Sequence, residues 1–222
     1  LLLFKFWLLK INSHILQHLL GFCHYLLNYF PGRLNFMHHC GDLTGHHRTP
    51  FHIAVYYGMI SMMDKYIGKI LDKLRELELE ENTLVIFTTD HGHFFGHHGL
   101  VAKGAFHYEG LIKIPFIARL PGQIPAGTSS DALLSLVDLA PTFLSFAGIP
   151  VPRTMTGLDQ SQVLKGGEPV RDHVIVENRH EPTSIHVKTY VDERYKLTVY
   201  YNQPYGELFD LASDPGKFIT CG

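Results

Sequence analysis

The run Leu84-Val85-Ile86-Phe87-Thr88-Thr89 constrains this chain most. Six apolar or β-branched residues stand together without a charge, and the run stops at Asp90-His91-Gly92. A short unbroken run of this kind suits a strand buried on both faces, the usual pattern of a parallel sheet. Before it, residues 51–79 read as one long helix. Ile53, Tyr56, Tyr57, Ile60, Met63, Ile67, Ile70, Leu71 and Leu74 recur at a spacing of three to four, with Asp64, Lys65, Lys69, Asp72 and Lys73 on much of the other face. That stripe reads as core packing. A second buried strand is expected at 112–119 (IKIPFIAR), closed by Leu120-Pro121-Gly122. Residues 133–147 read as a short helix, a proline-marked break and a second helical turn. Helix, strand, loop, strand and helix in this order predict an α/β layer fold.

After Pro150 the pattern changes. HVIVEN (173–178), SIHVKTYV (184–191) and KLTVYY (196–201) are strand-like, and the intervening DERY suggests a hairpin. A smaller, antiparallel C-terminal region is expected over 151–222, after an α/β part over 51–150.

Residues 1–50 form an apolar, histidine-rich N-terminal segment. The first thirty are apolar but interrupted by Lys5, Lys10, Asn12, Ser13, His14, His18, His24 and Asn28. No window of about 18 residues is free of such groups, which argues against a spanning helix. A small-residue cleavage site is also missing. A buried helical hairpin, a truncated or wrongly joined N-terminus, and a membrane or targeting segment remain open. Of the 16 histidines, eight lie at or before His52. His38, His39, Cys40, Asp42, His46 and His47 do not show zinc-ligand spacing and read as solvated loop residues. Lys+Arg is 19 against Asp+Glu 21, so no basic footprint for nucleic acid exists. Three cysteines without a CxxC do not make a disulfide scaffold.

The chemistry gathers after residue 89. In open α/β sheets, ligands bind beyond the carboxyl ends of the strands. Asp90 and His91 stand there, where a carboxylate oxygen and an imidazole nitrogen can reach one divalent cation. An isolated D-H-G would be an ordinary loop start. Here Gly92, Gly96 and Gly99 follow within eight residues, and Lys103 adds a compact cation. Metal, Lys103 and His98 would gather positive charge around a tetrahedral anion, as phosphoryl or sulfuryl transfer requires.

TTDHGHFFGHHGLVAKGAFHYEGLIKIPFIARLPG (residues 88–122) resembles the C-terminal metal-site motif of the sulfatase family, in the alkaline phosphatase superfamily. That motif runs T-x-D-H/N-G, G-x-H-G-L, Lys, a V/I-P-hydrophobic strand and a PG turn. AVYYGMISMMDKYIGKILDKL, SLVDLAPTFLSFAGIPVP and YKLTVYYNQPYGELFDLASDPGK are similar to further family segments in the same order. The resemblance covers roughly residues 52–217. It implies a partial alkaline-phosphatase-like sheet flanked by helices and a hydrolase of sulfate esters, small or glycan. Asp90 and His91 match metal ligands, usually for calcium. Lys103 matches the lysine on the sulfate ester oxygen, and His98 the histidine of the G-x-H-G stretch. His93 and His107 read as rim or structural residues, and Asp138 as a cap before Pro141. Glu109 is either a support behind the site or a helix-face carboxylate. Asp210 and Asp214 belong to a turn.

The family also uses a formylglycine made from Cys or Ser in C/S-x-P-x-R. None of the cysteines or serines here fits; Ser213 has Pro215 but Lys217 in place of arginine. The family's N-terminal acidic ligand pair has no match either. The expectation is therefore a sulfatase-like chain truncated at its N-terminus and inactive alone. A phosphonate or phosphate ester hydrolase and a non-catalytic pseudoenzyme are the alternatives. The early histidines are expected to lie mostly outside the family match.

Overall fold

A computed structural model describes residues 4–9, 49–94, 96–100, 102–180 and 185–213. The first sheet has three strands in the order β1-β2-β3: β1 (Phe4–Leu9), β2 (Leu84–Thr89) and β3 (Phe116–Arg119). Both pairings are antiparallel, with Phe4 opposite Thr89 and Val85 opposite Arg119. The expected parallel arrangement is thus corrected. A parallel return to β3 needs a crossover of a dozen or more residues, usually a helix. Among the described residues of 90–115, the regular elements are a one-turn 3-10 segment (His97–Gly99) and the four-residue helix α2 (Glu109–Ile112). They stay at the carboxyl end of β2, and the chain comes back reversed. The second strand is also shorter than expected, since 109–112 is helical and Pro115 precedes the strand.

The hairpin reading of residues 1–30 fails at Phe4–Leu9, which is a strand. The remainder of that segment and the 31–48 histidine cluster lie outside the described residues.

Helix α1 (Thr49–Glu76) matches the long periodic segment. It ends earlier than the pattern, because Glu78 turns left-handed (φ 55°). Leu79 N then donates to Leu74 O and Glu78 N to Arg75 O. These are the two bonds of a Schellman stop. An apolar groove of about 360 Å³ lies between α1 (Ile60, Met63, Ile67, Leu71) and the strand residues Val85, Phe87 and Ile117. On the opposite face, Leu84, Ile86, Leu120 and Phe143 form a buried core with Leu139 and Phe146 packed against it.

Phe143 belongs to α3 (Leu139–Phe146). The predicted break at Pro141 does not occur. A 3-10 turn (Leu136–Asp138) runs straight into α3, so Pro141 sits in the first turn, where its missing N–H costs nothing. Gly148 (φ 69°) ends the helix in a second Schellman stop, with Ile149 N donating to Leu144 O and Gly148 N to Ser145 O.

Asp138 does more than the expected cap. It is fully buried. One carboxylate oxygen accepts from Ser135 N at 2.9 Å and Gln160 Nε2 at 3.1 Å. The other accepts from Leu158 N at 2.8 Å and ion-pairs with Arg171. It therefore ties α3 to α4 (Ser161–Leu164) and to the entry of the second sheet.

That sheet is an antiparallel meander, β4 (His173–His180), β5 (Ile185–Asp192), β6 (Tyr195–Tyr200) and β7 (Gly206–Asp210). The DERY hairpin forms: Asp192 Oδ1 accepts from Arg194 N and Tyr195 N. Strand β7 was not foreseen, and Asp210 ends it, accepting from Ala212 N in the turn. Val187, Thr189, Lys196, Thr198 and Phe209 are buried on the inner face, while Ile175, Leu197 and Val199 are exposed.

Candidate active site

Thr88 and Thr89 are buried at the end of β2, which fixes where Asp90 leaves the sheet. His91 N donates to Asp90 Oδ1 at 3.0 Å, a local bond at the start of the loop. Gly92 N donates to Leu111 O at 2.7 Å. A Cβ on Gly92 would meet Gly110 O at 2.0 Å, so only glycine allows this approach. Phe94, almost fully buried, anchors the loop and donates from its N to Ala102 O at 3.0 Å, bringing the chain back towards Lys103.

Lys103 Nζ lies 3.2 Å from His91 Nε2, and His91 Nδ1 lies 2.8 Å from Gly92 O. A carbonyl and an ammonium leave one tautomer: Nδ1 carries the proton and donates to Gly92 O, and Nε2 presents its lone pair. Asp90 Oδ2 is 4.0 Å from that Nε2. This separation is less than twice a calcium–oxygen bond of about 2.4 Å, so both atoms can touch one cation. The two residues fit a metal as partial ligands; calcium takes about six to eight oxygens. Among the described residues, no group of three or more His, Cys, Asp or Glu side chains could hold a metal ion.

The structure brings Asp90, His91 and Lys103 together. His98 is placed differently: its backbone is left-handed (φ 54°) and its ring stacks on Tyr108 with centroids 4.0 Å apart. His93 is half-buried beside the cluster. Burial first of all, with the Lys103 ammonium adding to it, pushes its imidazole below the ordinary range. His107 is buried, and its Nδ1 is 2.8 Å from Thr189 Oγ1 on β5. Burial, and then Lys196, lower it as well. Glu109 accepts from the buried ammonium of Lys196 on β6 at 3.3 Å, so it supports the loop from behind.

Sequence reasoning missed Tyr108, Tyr200 and Glu207. Tyr108 Oη donates to Glu207 Oε1 at 3.1 Å and Tyr200 Oη to Glu207 Oε2 at 2.9 Å. Tyr108 and Glu207 are 99 positions apart, so no local spacing could reveal the contact.

The sequence profile described as Sulfatase matches residues 23–149, more than half of the chain. The chain belongs to the sulfatase family. A second profile, N-sulphoglucosamine sulphohydrolase, C-terminal, matches residues 96–220. The family match begins well before residue 52, and His24, His38, His39, His46, His47 and His52 fall inside it. The expectation that the early histidines lie mostly outside is corrected. An N-acetylglucosamine-6-O-sulfatase of Bacteroides thetaiotaomicron is 34% identical over 72% of this chain and 30% of its own length. A solved structure described as in complex with its substrate D-glucosamine-2-N,6-O-disulfate is similar with a TM-score of 0.73 at 28% identity, over 86% of this chain and 41% of that one. A phosphonate monoester hydrolase from Silicibacter pomeroyi is similar with a TM-score of 0.63 at 27% identity, over 73% of this chain and 37% of that one. The chain spans about a third of the length of the curated relatives it matches. The α/β fold with a smaller antiparallel C-terminal region agrees with these neighbours. No helix among the described residues is long and apolar enough to cross a membrane.

Proposed function

We propose that this chain supplies the metal- and anion-facing end of a sulfuric ester hydrolase. The convergence of Asp90, His91 and Lys103 beyond β2, within a sulfatase-family fold, supports this reading. Asp90 and His91 Nε2 would hold a divalent cation, and hard carboxylate oxygen suits calcium. When bound, the cation supplies positive charge beside the sulfate oxygens. Lys103 donates to a sulfate oxygen and stabilises charge on the anion and the leaving group. From its place against Tyr108, His98 would give a further contact to the anion. The glucosamine sulfate compounds in the names of the relatives support a sulfated glycan as substrate.

This sequence contains no C/S-x-P-x-R, so the nucleophile of the family is not among its residues. Turnover of an aryl sulfate by the chain alone is therefore expected to be undetectable, and turnover abolished by Asp90→Ala would overturn that. Binding carries the main test: titrate inorganic sulfate in excess calcium by calorimetry. Lys103→Met should weaken binding about tenfold or more, as loss of a charged hydrogen bond does. Unchanged affinity in both Lys103→Met and Asp90→Ala refutes the site. The likeness to the phosphonate monoester hydrolase favours a second reading, with a phosphonate as the anion. Titrating methylphosphonate beside sulfate separates the two.

A further inference from the structure

We propose that Glu207 is a positioning residue that holds His98 towards the anion through Tyr108; this rests on the reading of His98 as an anion contact. Three observations carry it. First, both oxygens of the Glu207 carboxylate are engaged, one by Tyr108 at 3.1 Å and the other by Tyr200 at 2.9 Å. The bond to Oε1 anchors the Tyr108 hydroxyl, while Tyr200 occupies the oxygen that does not meet Tyr108. Second, the ring so fixed lies against His98, with planes 19° apart. Third, His98 has a left-handed backbone (φ 54°) between Gly96 and Gly99, an uncommon conformation for a non-glycine residue, and the Tyr108 stack is seated against it.

The neighbours of Tyr108 have ties of their own to the same sheet, His107 to Thr189 and Glu109 to Lys196. These hold the backbone on either side. What Glu207 adds is the setting of the Tyr108 ring, and with it the stacking partner of His98. Its effect is therefore separable from folding.

The experiment is proton NMR of the full chain with inorganic sulfate as the probe. Stacking on Tyr108 shifts the His98 ring protons upfield. Tyr108→Phe keeps the ring and loses only the hydroxyl; Glu207→Ala removes the anchor. In each, the upfield shift should at least halve, and the dissociation constant for sulfate should rise about twofold or more, as the positioned fraction falls. The His107 resonances should not move, which reports an intact fold. Tyr200→Phe leaves the Tyr108–Glu207 bond in place and should keep the His98 shift. An unchanged His98 shift and affinity in Tyr108→Phe overturns the proposal, whether or not Glu207→Ala folds. An equal loss in Tyr200→Phe also overturns it, because general loosening then explains the effect. If the unaltered chain binds no sulfate, the anion-site reading fails, and the proposal falls with it even where the ring shift confirms the Glu207–Tyr108–His98 contact.

Discussion

Replacing Gly92 with alanine tests whether the loop after β2 is held by a close backbone approach. The new Cβ would stand 2.0 Å from Gly110 O and 3.3 Å from Leu111 Cα. Ordinary carbon–oxygen contacts lie at about 3.3 Å or more, so the two segments must part by about 1.3 Å. The obstacle is backbone, which no rotamer change removes. That opening breaks the 2.7 Å bond from Gly92 N to Leu111 O. Losing the bond costs about 0.5–1.5 kcal/mol and the overpacking about 1–3 kcal/mol. The sum, about 1.5–4.5 kcal/mol, corresponds to a fall in Tm of roughly 3–18 °C for a chain of this size. Urea and thermal unfolding followed by circular dichroism would measure it. Gly104→Ala is the control: its Cβ meets only the Phe106 ring, at 4.0 Å, and should cost less than about 0.5 kcal/mol. A Gly92→Ala protein as stable as the Gly104→Ala protein would refute the close-approach reasoning.

Two further outcomes are expected. Arg171→Met should cost about 3–5 kcal/mol in urea unfolding, because it leaves the Asp138 carboxylate buried with neutral donors only; a cost under about 1 kcal/mol would show that those donors suffice. The chain should also lose stability as pH falls below about 6.5, the ordinary histidine value. His107 is lowered in the folded state by burial and Lys196, so its contribution is present above the unfolded value and is lost as pH falls through the folded one. The urea midpoint of His107→Asn should change less between pH 7 and pH 5 than that of the unaltered chain, and parallel profiles would sink this assignment.

Local chemistry made much of the chain legible. The charge-free run 84–89 had to be a strand, and the Asp90-His91-Gly92 stop had to begin a loop at its end. Helix α1 followed from its apolar stripe, and the β5–β6 hairpin from DERY. Strand direction was not legible, because an unbroken apolar run reports burial on both faces and not the sense of its neighbours. Here α1 and the α3 core cover the two faces of an antiparallel sheet. Pro141 misled for a related reason: a proline signals a break inside a helix but is accommodated in its first turn. The Asp138 network was hidden because Leu158, Gln160 and Arg171 lie 20 to 33 positions away.

The site residues divide along the same line. Asp90 and His91 are positioned by the strand that precedes them, so adjacency in sequence became adjacency in space. Lys103 and His98 sit in a stretch whose described residues between 90 and 108 form one 3-10 turn, little local structure to position them. Their geometry comes from ties across distance: Phe94 to Ala102, Gly92 to Leu111, and residues 107–109 to the second sheet. A loop held this way keeps its shape only while the sheet behind it is folded. The inner face of β5–β7, with Thr189, Lys196 and Glu207 tied to the loop residues or to their partners, thus supports the proposed anion site as well as the core of the C-terminal region. Thr189→Val tests the point outside the Tyr108 contact. It should loosen the loop and weaken sulfate binding, although Thr189 has no place among the residues proposed to touch the anion.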